Sequence, residues 1–185
     1  MDETVSPESS STTAIHRDDW TVTALSEHER PLLERMLQLY FYDFSEFDHD
    51  DLDEGGLYPI ERYDRYGQET GYDAWILRVD GKPAGFALVD LNSPWPESQE
   101  RHHIHEFHVL RAYRRRGFGR TMAHAIFDHY PGPWQIEQIG PNADAQSFWK
   151  RVVANFTGDR FTERVIEGRR FPLFVQEFDT NDQAN

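Results

Sequence analysis

The sequence predicts an α/β domain on a mixed, mostly antiparallel twisted sheet. Three observations carry that prediction. Residues 72–79 and 85–91 are strand-like runs that flank the turn Asp80-Gly81-Lys82-Pro83, which makes a hairpin. A third strand-like run, 102–110, passes through a glycine turn into an amphipathic helix over 118–130. After Pro131-Gly132-Pro133 stops that helix, strand 134–139, helix 142–155 and a closing hairpin of 161–166 with 171–178 follow. At 185 residues this is most simply one domain with a substantial core.

The elements before the first hairpin are read in the same way. Residues 1–17 are rich in Ser, Thr and acidic side chains and read as a disordered tail. The domain then spans 18–179, and 180–185 is a second tail. Trp20 to Leu25 alternates as a short strand. Ser26 and Glu29 have the spacing of a capping box, with Ser26 as N-cap. Leu32, Leu33, Met36, Leu37, Tyr40, Phe41 and Phe44 follow at helical spacing as a core-facing stripe. Residues 43–56 are acidic, but the glycine and closing glutamate miss the offsets of an EF-hand, so a solvated loop or an acidic lip remain. Residues 57–66 are aromatic and read as a second helix or a lid.

Composition excludes several functions. The formal charge is −14, and Lys82 and Lys150 are the only lysines. Neutralising phosphates needs a basic surface, so nucleic acid is not an expected partner. The acidity serves solubility, or else a field that draws in a cationic substrate. No cysteine is present, which removes disulfides, cysteine–zinc sites and a thiol nucleophile. No apolar run approaches the roughly 20 residues of a membrane span, so no membrane partner is expected. The N-terminus lacks the basic-then-apolar order of a secretory signal, which points to the cytoplasm.

The segment that carries chemistry begins at Val109. A strand end leads into Arg114-Arg115-Arg116-Gly117-Phe118-Gly119-Arg120 and the first helical turns. Such a turn aims successive backbone N–H groups at one point, and the helix N-terminus and arginines add positive charge. The product is a pyrophosphate seat. Neither the Gly-x-Gly-x-x-Gly order of dinucleotide-binding loops nor the Gly-Lys-Ser/Thr of a P-loop is present.

This segment resembles the signature of the GNAT superfamily of acyl-CoA N-acyltransferases, Gln/Arg-x-x-Gly-x-Gly/Ala after a strand. Arg114, Gly117 and Gly119 match it, and the element order resembles the superfamily from about Trp20 to Phe178. The resemblance implies helices on both faces of the sheet and a central splay between strands. It implies acetyl-CoA as cosubstrate, with backbone N–H groups at Val109 and Leu110 holding the pantetheine arm and polarising the thioester. The backbone from Arg115 to Arg120 would take the pyrophosphate, with side-chain charge from Arg114 and Arg120. Asn142-x-x-Ala145-x-x-Phe148-Trp149-x-Arg151 resembles a second superfamily motif, in which the asparagine contacts pantetheine. Trp149 stands where many members have the tyrosine that protonates the leaving thiolate. An indole N–H cannot deliver that proton. Water or another tyrosine would have to act.

The implied activity is N-acetyl transfer to a primary amine, on a small molecule or a peptide, by direct attack in a ternary complex. A catalytically weak acyl-CoA-binding module is the alternative that Trp149 suggests. A homodimer is compatible with the resemblance. The stretch 103–119 is similar to the matching strand and loop of arylalkylamine N-acetyltransferases, in which a His-x-His pair works through water as the base. That points to His103 and His105. Other superfamily members use a strand glutamate, here Glu106. Strict alternation places His103, His105, Phe107 and Val109 on one face and Ile104, Glu106 and His108 on the other, a parity that a bulge would break. No metal is expected, because imidazoles along one strand seldom converge unaided and no acidic partner is identifiable.

Overall fold

The computed structural model describes residues 14–17, 19–95 and 100–183. Among these residues eight strands form one sheet: β1 (Ala14–Arg17), β2 (Trp20–Ala24), β3 (Tyr72–Val79), β4 (Lys82–Asp90), β5 (His102–Val109), β6 (Pro133–Ile139), β7 (Thr162–Ile166) and β8 (Leu173–Asp179). Their order across the sheet is β1-β2-β3-β4-β5-β6-β8-β7. All neighbours are antiparallel except β5 and β6. Strand β1 falls inside the segment expected to be a tail and pairs with β2, Ile15 opposite Val22. Residues 1–13 of that tail lie outside the described residues. In the second expected tail, Thr180–Gln183 forms a 3-10 turn, and residues 184–185 lie outside the description.

Among the described residues, three helices cover the sheet: α1 (Arg30–Asp48), α2 (Phe118–His129) and α3 (Ala143–Thr157). The expected capping box is present ahead of α1, where the Ser26 N–H donates to the Glu29 carboxylate at 3.1 Å. Helix α1 buries Leu33, Leu37, Tyr40 and Phe41 against Ile76, Phe86 and Leu88, the apolar stripe predicted from spacing. Residues 57–66 form no full helix. They make one 3-10 turn, Glu61–Tyr63, and press Tyr58, Tyr63 and Tyr66 into the same cluster. On the opposite face α2 and α3 pack Met122, Ile126, Phe127, Trp149 and Val153 onto Trp134 and Phe178. Full burial of Phe127 contributes roughly 2–3 kcal/mol. No helix among the described residues is long and apolar enough to cross a membrane.

Two irregularities in β5 matter most for position. The β5–β6 contact is parallel and short: only His102–Trp134 and His103–Gln135 are partners. Beyond them the strands diverge, opening a wedge toward Val109. On its other edge β5 pairs with β4, and the register slips, since Leu88 opposes Glu106 whereas Val89 opposes Ile104. His105 is therefore an extra, bulged residue. Gly85 lets the strands close at the end of this ladder. A Cβ there would lie 2.5 Å from the His108 carbonyl oxygen.

Candidate active site

The glycine turn has a backbone geometry that suits an anion. Arg115 (φ 59°) and Gly117 (φ 89°) are both left-handed, and this alternation turns successive N–H groups toward one concave side. The first helical bond runs from the Thr121 N–H to the Gly117 carbonyl at 3.0 Å, which leaves the N–H groups of Phe118, Gly119 and Arg120 without helical acceptors. The two glycines serve different ends. Gly117 supplies handedness, with open space around it, whereas a Cβ on Gly119 would lie 3.2 Å from the Phe148 ring. Phe118 is buried and anchors the first turn of α2 in the core.

The arginines divide. Arg115 and Arg120 are exposed and pair with no carboxylate among the described residues. Arg116 lies along aromatic rings, 5.0 Å from Phe118 and 5.9 Å from Tyr113. Arg114, expected to offer its charge to phosphate, is engaged within the chain. Its guanidinium donates to Asp43 at 2.6 Å and to the Val109 carbonyl at 2.6 Å. Arg111 shares Asp43 at 2.7 Å. Burial would raise the Asp43 pKa, but the two guanidinium groups outweigh it and hold the carboxyl below its usual range. Asp43 thus straps the end of α1 to the turn.

The pantetheine expectations also divide. The Leu110 N–H donates to the Ala84 carbonyl at 2.9 Å and so points into the sheet. Successive N–H groups of a strand point to opposite edges, so the Val109 N–H faces the wedge. Asn142 uses its Oδ1 to cap α3, accepting from the Ala145 N–H at 3.0 Å. Trp149 is buried, with ring centroids 4.9 Å from Phe107 and 5.1 Å from Phe148. It is a packing residue.

The bulge at His105 overturns the expected parity of β5. Ile104, Phe107 and Val109 pack toward α2 and α3, whereas His103, His105, Glu106 and His108 all lie on the α1 side. Glu106 accepts from two tyrosine hydroxyls there, Tyr40 at Oε2 and Tyr63 at Oε1, the latter at 2.7 Å. Burial, then the Glu106 charge, pushes both phenol pKa values up. The other two histidines of β5 make backbone and packing contacts. His102 sits between the Leu91 and Pro131 carbonyl oxygens. His108 packs between Tyr40 and Phe86, and burial, reinforced by Arg114, pulls its pKa down to about 4.

His103 and His105 meet an acidic partner after all. Both Nδ1 atoms face Asp90 Oδ2, at 3.6 and 3.4 Å. Asp90 is buried, and its Oδ1 accepts from the Tyr66 hydroxyl at 2.6 Å. Burial would raise the Asp90 pKa, but the two imidazoles and Tyr66 hold it well below the usual carboxylate range. Burial would lower the His105 pKa, but Asp90 and Glu106 outweigh it and raise it. These three side chains could also hold a metal ion, since one ligand atom from each lies within 4.8 Å of the others. Sequence reasoning missed Asp90, Tyr63 and Tyr66 and assigned Tyr40 to packing alone. Asp90 was the last polar residue of a predicted strand, the one local signal on offer.

A wedge beside a parallel strand pair, with a glycine turn opening a helix at the wedge's mouth, is the geometry expected of an acyl-CoA transferase. The model of the Acetyltransferase (GNAT) family matches residues 31–153. The chain belongs to the GNAT family. It is accordingly an N-acetyltransferase on a GNAT fold. Solved structures share this fold at low sequence identity. The Escherichia coli ribosomal-protein-S18-alanine N-acetyltransferase is 15% identical, with a TM-score of 0.61, covering 87% of this chain and 94% of its own. Spermidine N-acetyltransferase from Vibrio cholerae, solved with CoA and spermine, is 12% identical with a TM-score of 0.63, covering 91% and 100%. A ribosomal L7/L12 α-N-protein acetyltransferase bound to coenzyme A is 11% identical with a TM-score of 0.65, covering 92% and 99%. Among curated proteins, none matches the chain.

Proposed function

We propose that this GNAT enzyme moves an acetyl group from acetyl-CoA to a cationic primary amine, with Glu106 as the proton acceptor. The observation that carries the reading is the bulge at His105. It turns the Glu106 carboxylate to the α1 side, on the strand whose far end leads into the anion seat. In this reading the pyrophosphate sits on the backbone N–H groups of 115–120, and the pantetheine arm follows the wedge past Val109. The neutral amine attacks the thioester carbonyl, the C–S bond breaks, and the amine's surplus proton passes to Glu106. A tyrosine on that carboxylate, Tyr40 or Tyr63, donates a proton to the departing thiolate and recovers one from Glu106. That answers the absence of a tyrosine at position 149. Without cysteine, direct attack needs no thiol intermediate.

A cationic acceptor fits the charge of the α1 side. Glu106 lies on that side beside Tyr63, and Asp50 and Glu61 line a small cup of about 140 Å³ with Phe41, Tyr58 and Arg62. The similar fold of a spermidine N-acetyltransferase agrees with a small amine, and that of the ribosomal-protein acetyltransferases with a peptide N-terminus. Coenzyme A release measured over a panel of both amine types tests the activity. Glu106→Gln should keep acetyl-CoA binding and lower kcat by about 100-fold or more. Full turnover in Glu106→Gln, His103→Ala and His105→Ala alike would overturn the assignment. Loss in His105→Ala with an active Glu106→Gln would move the proton acceptor to His105. Acetyl-CoA binding with no turnover on any amine would leave a binding module.

A further inference from the structure

The transfer chemistry above leaves one constellation unused, and it is among the most unusual in the molecule. Asp90 ends β4 directly opposite His103, and the bulge adds His105 to the same face. Two imidazoles on alternate positions of a regular strand would project side by side. Here they converge on one carboxylate oxygen. Their Nδ1 atoms are buried, and neither has a hydrogen-bond partner among the described residues. The distances to Asp90 Oδ2, 3.6 and 3.4 Å, exceed the 2.7–3.2 Å expected of an N–H···O bond. They match a different geometry. Ligand atoms about 2.0–2.1 Å from a tetrahedral centre stand about 3.3–3.4 Å from one another.

We propose that Asp90, His103 and His105 form a binding site for a divalent metal ion of the zinc class. The donors would be the two Nδ1 atoms and Asp90 Oδ2. Two imidazoles and a carboxylate form a borderline donor set that suits zinc, and the chain offers no thiolate to favour softer ions. Supporting groups of the kind that metal sites need are already in place. The Tyr66 hydroxyl fixes Asp90 Oδ1, which turns Oδ2 toward the imidazoles. On the far side of His103, Glu137 stands 3.8 Å from Nε2, where it can orient a ring that coordinates through Nδ1. The Asp90 and His103 side chains are 2% and 7% exposed, whereas His105 is 26% exposed, so the site opens on one side, where a fourth ligand such as water would enter. The proposal does not rest on Glu106 as the proton acceptor, and none of its readouts uses acetyl transfer.

The test uses the full chain without an affinity tag, stripped with a chelator and titrated with Zn²⁺ against a chromophoric competitor. One equivalent should bind, and Co²⁺ in its place should give the intense visible bands of a tetrahedral site. His105→Gln and Asp90→Asn should abolish both signals, and Glu137→Gln should weaken Zn²⁺ binding by about tenfold. Zn²⁺ should raise the Tm of the unsubstituted chain and leave that of His105→Gln unchanged, a readout that also verifies folding of the variant. Less than one equivalent bound, or binding that persists in both His105→Gln and Asp90→Asn, would overturn the proposal.

Discussion

His108 gives the sharpest link between a buried group and a solution measurement. Its ring is 6% exposed and packed between Tyr40 from α1 and Phe86 from β4, with the charges of Arg111, Arg114 and Asp43 beyond. Burial, then Arg114, lowers its pKa from 6.5 to about 4. Above pH 6.5 the ring is neutral in the folded and unfolded chains alike, and the shift has no effect on stability. As pH falls below 6.5 only the unfolded chain takes up the proton, so stability falls by about 1.4 kcal/mol per pH unit. The loss ends near pH 4 at roughly 3 kcal/mol, a large part of a domain's ordinary 5–15 kcal/mol. His108→Phe removes the titration and keeps a ring in the aromatic slot, and His108→Gln removes it without one. Urea unfolding followed by tryptophan fluorescence at pH 7.5 and 4.5 measures the difference. The unsubstituted chain should lose about 2–3 kcal/mol more than either variant over that interval. Parallel losses in all three proteins would refute the reasoning.

Three further outcomes follow from the site. Gly117→Ala should cost about 1 kcal/mol of stability, because φ is 89° there, and Gly119→Ala should press on Phe148; calorimetry should find weaker acetyl-CoA binding in both. Asp43→Asn should release Arg114 with little change in stability because the arginines are exposed, while acetyl-CoA affinity rises as a guanidinium becomes free for phosphate. Tyr40→Phe and Tyr63→Phe should each lower kcat with little change in KM, and the double variant should fall well below either, which steady-state kinetics will show.

Much of the molecule was legible because its signals are local. The hairpin of β3 and β4 follows from a four-residue turn between strand-like runs, and α1 from apolar spacing and a capping box. The glycine turn was legible for the same reason, since Gly117 and Gly119 act on their own neighbours. What escaped depends on register. A one-residue slip between β4 and β5 leaves no mark in composition, yet it decides that Glu106 and His105 share a face. Asp90 lies thirteen or more residues from the histidines it meets, and only strand pairing brings them together. Tyr40 counted correctly as core, because its ring is core. That its hydroxyl reaches Glu106 is a fact of three dimensions. Arg114 was read by its charge, and the competing charge on Asp43 comes from a helix far upstream.

The two-pair contact between β5 and β6 has a mechanical consequence. The sheet is two half-sheets, β1–β5 and β6–β8, sewn together by two stitches and otherwise held by the aromatic packing beneath α2 and α3. A ligand lying in the wedge would act as the strand the sheet lacks, bonding to the exposed edge of β5 and bridging the halves. Occupancy then becomes part of the protein's cohesion. At a donor concentration 100 times its Kd, that bridge adds about 2.7 kcal/mol against unfolding. The protein's resistance to unfolding would thus rise and fall with the supply of its donor.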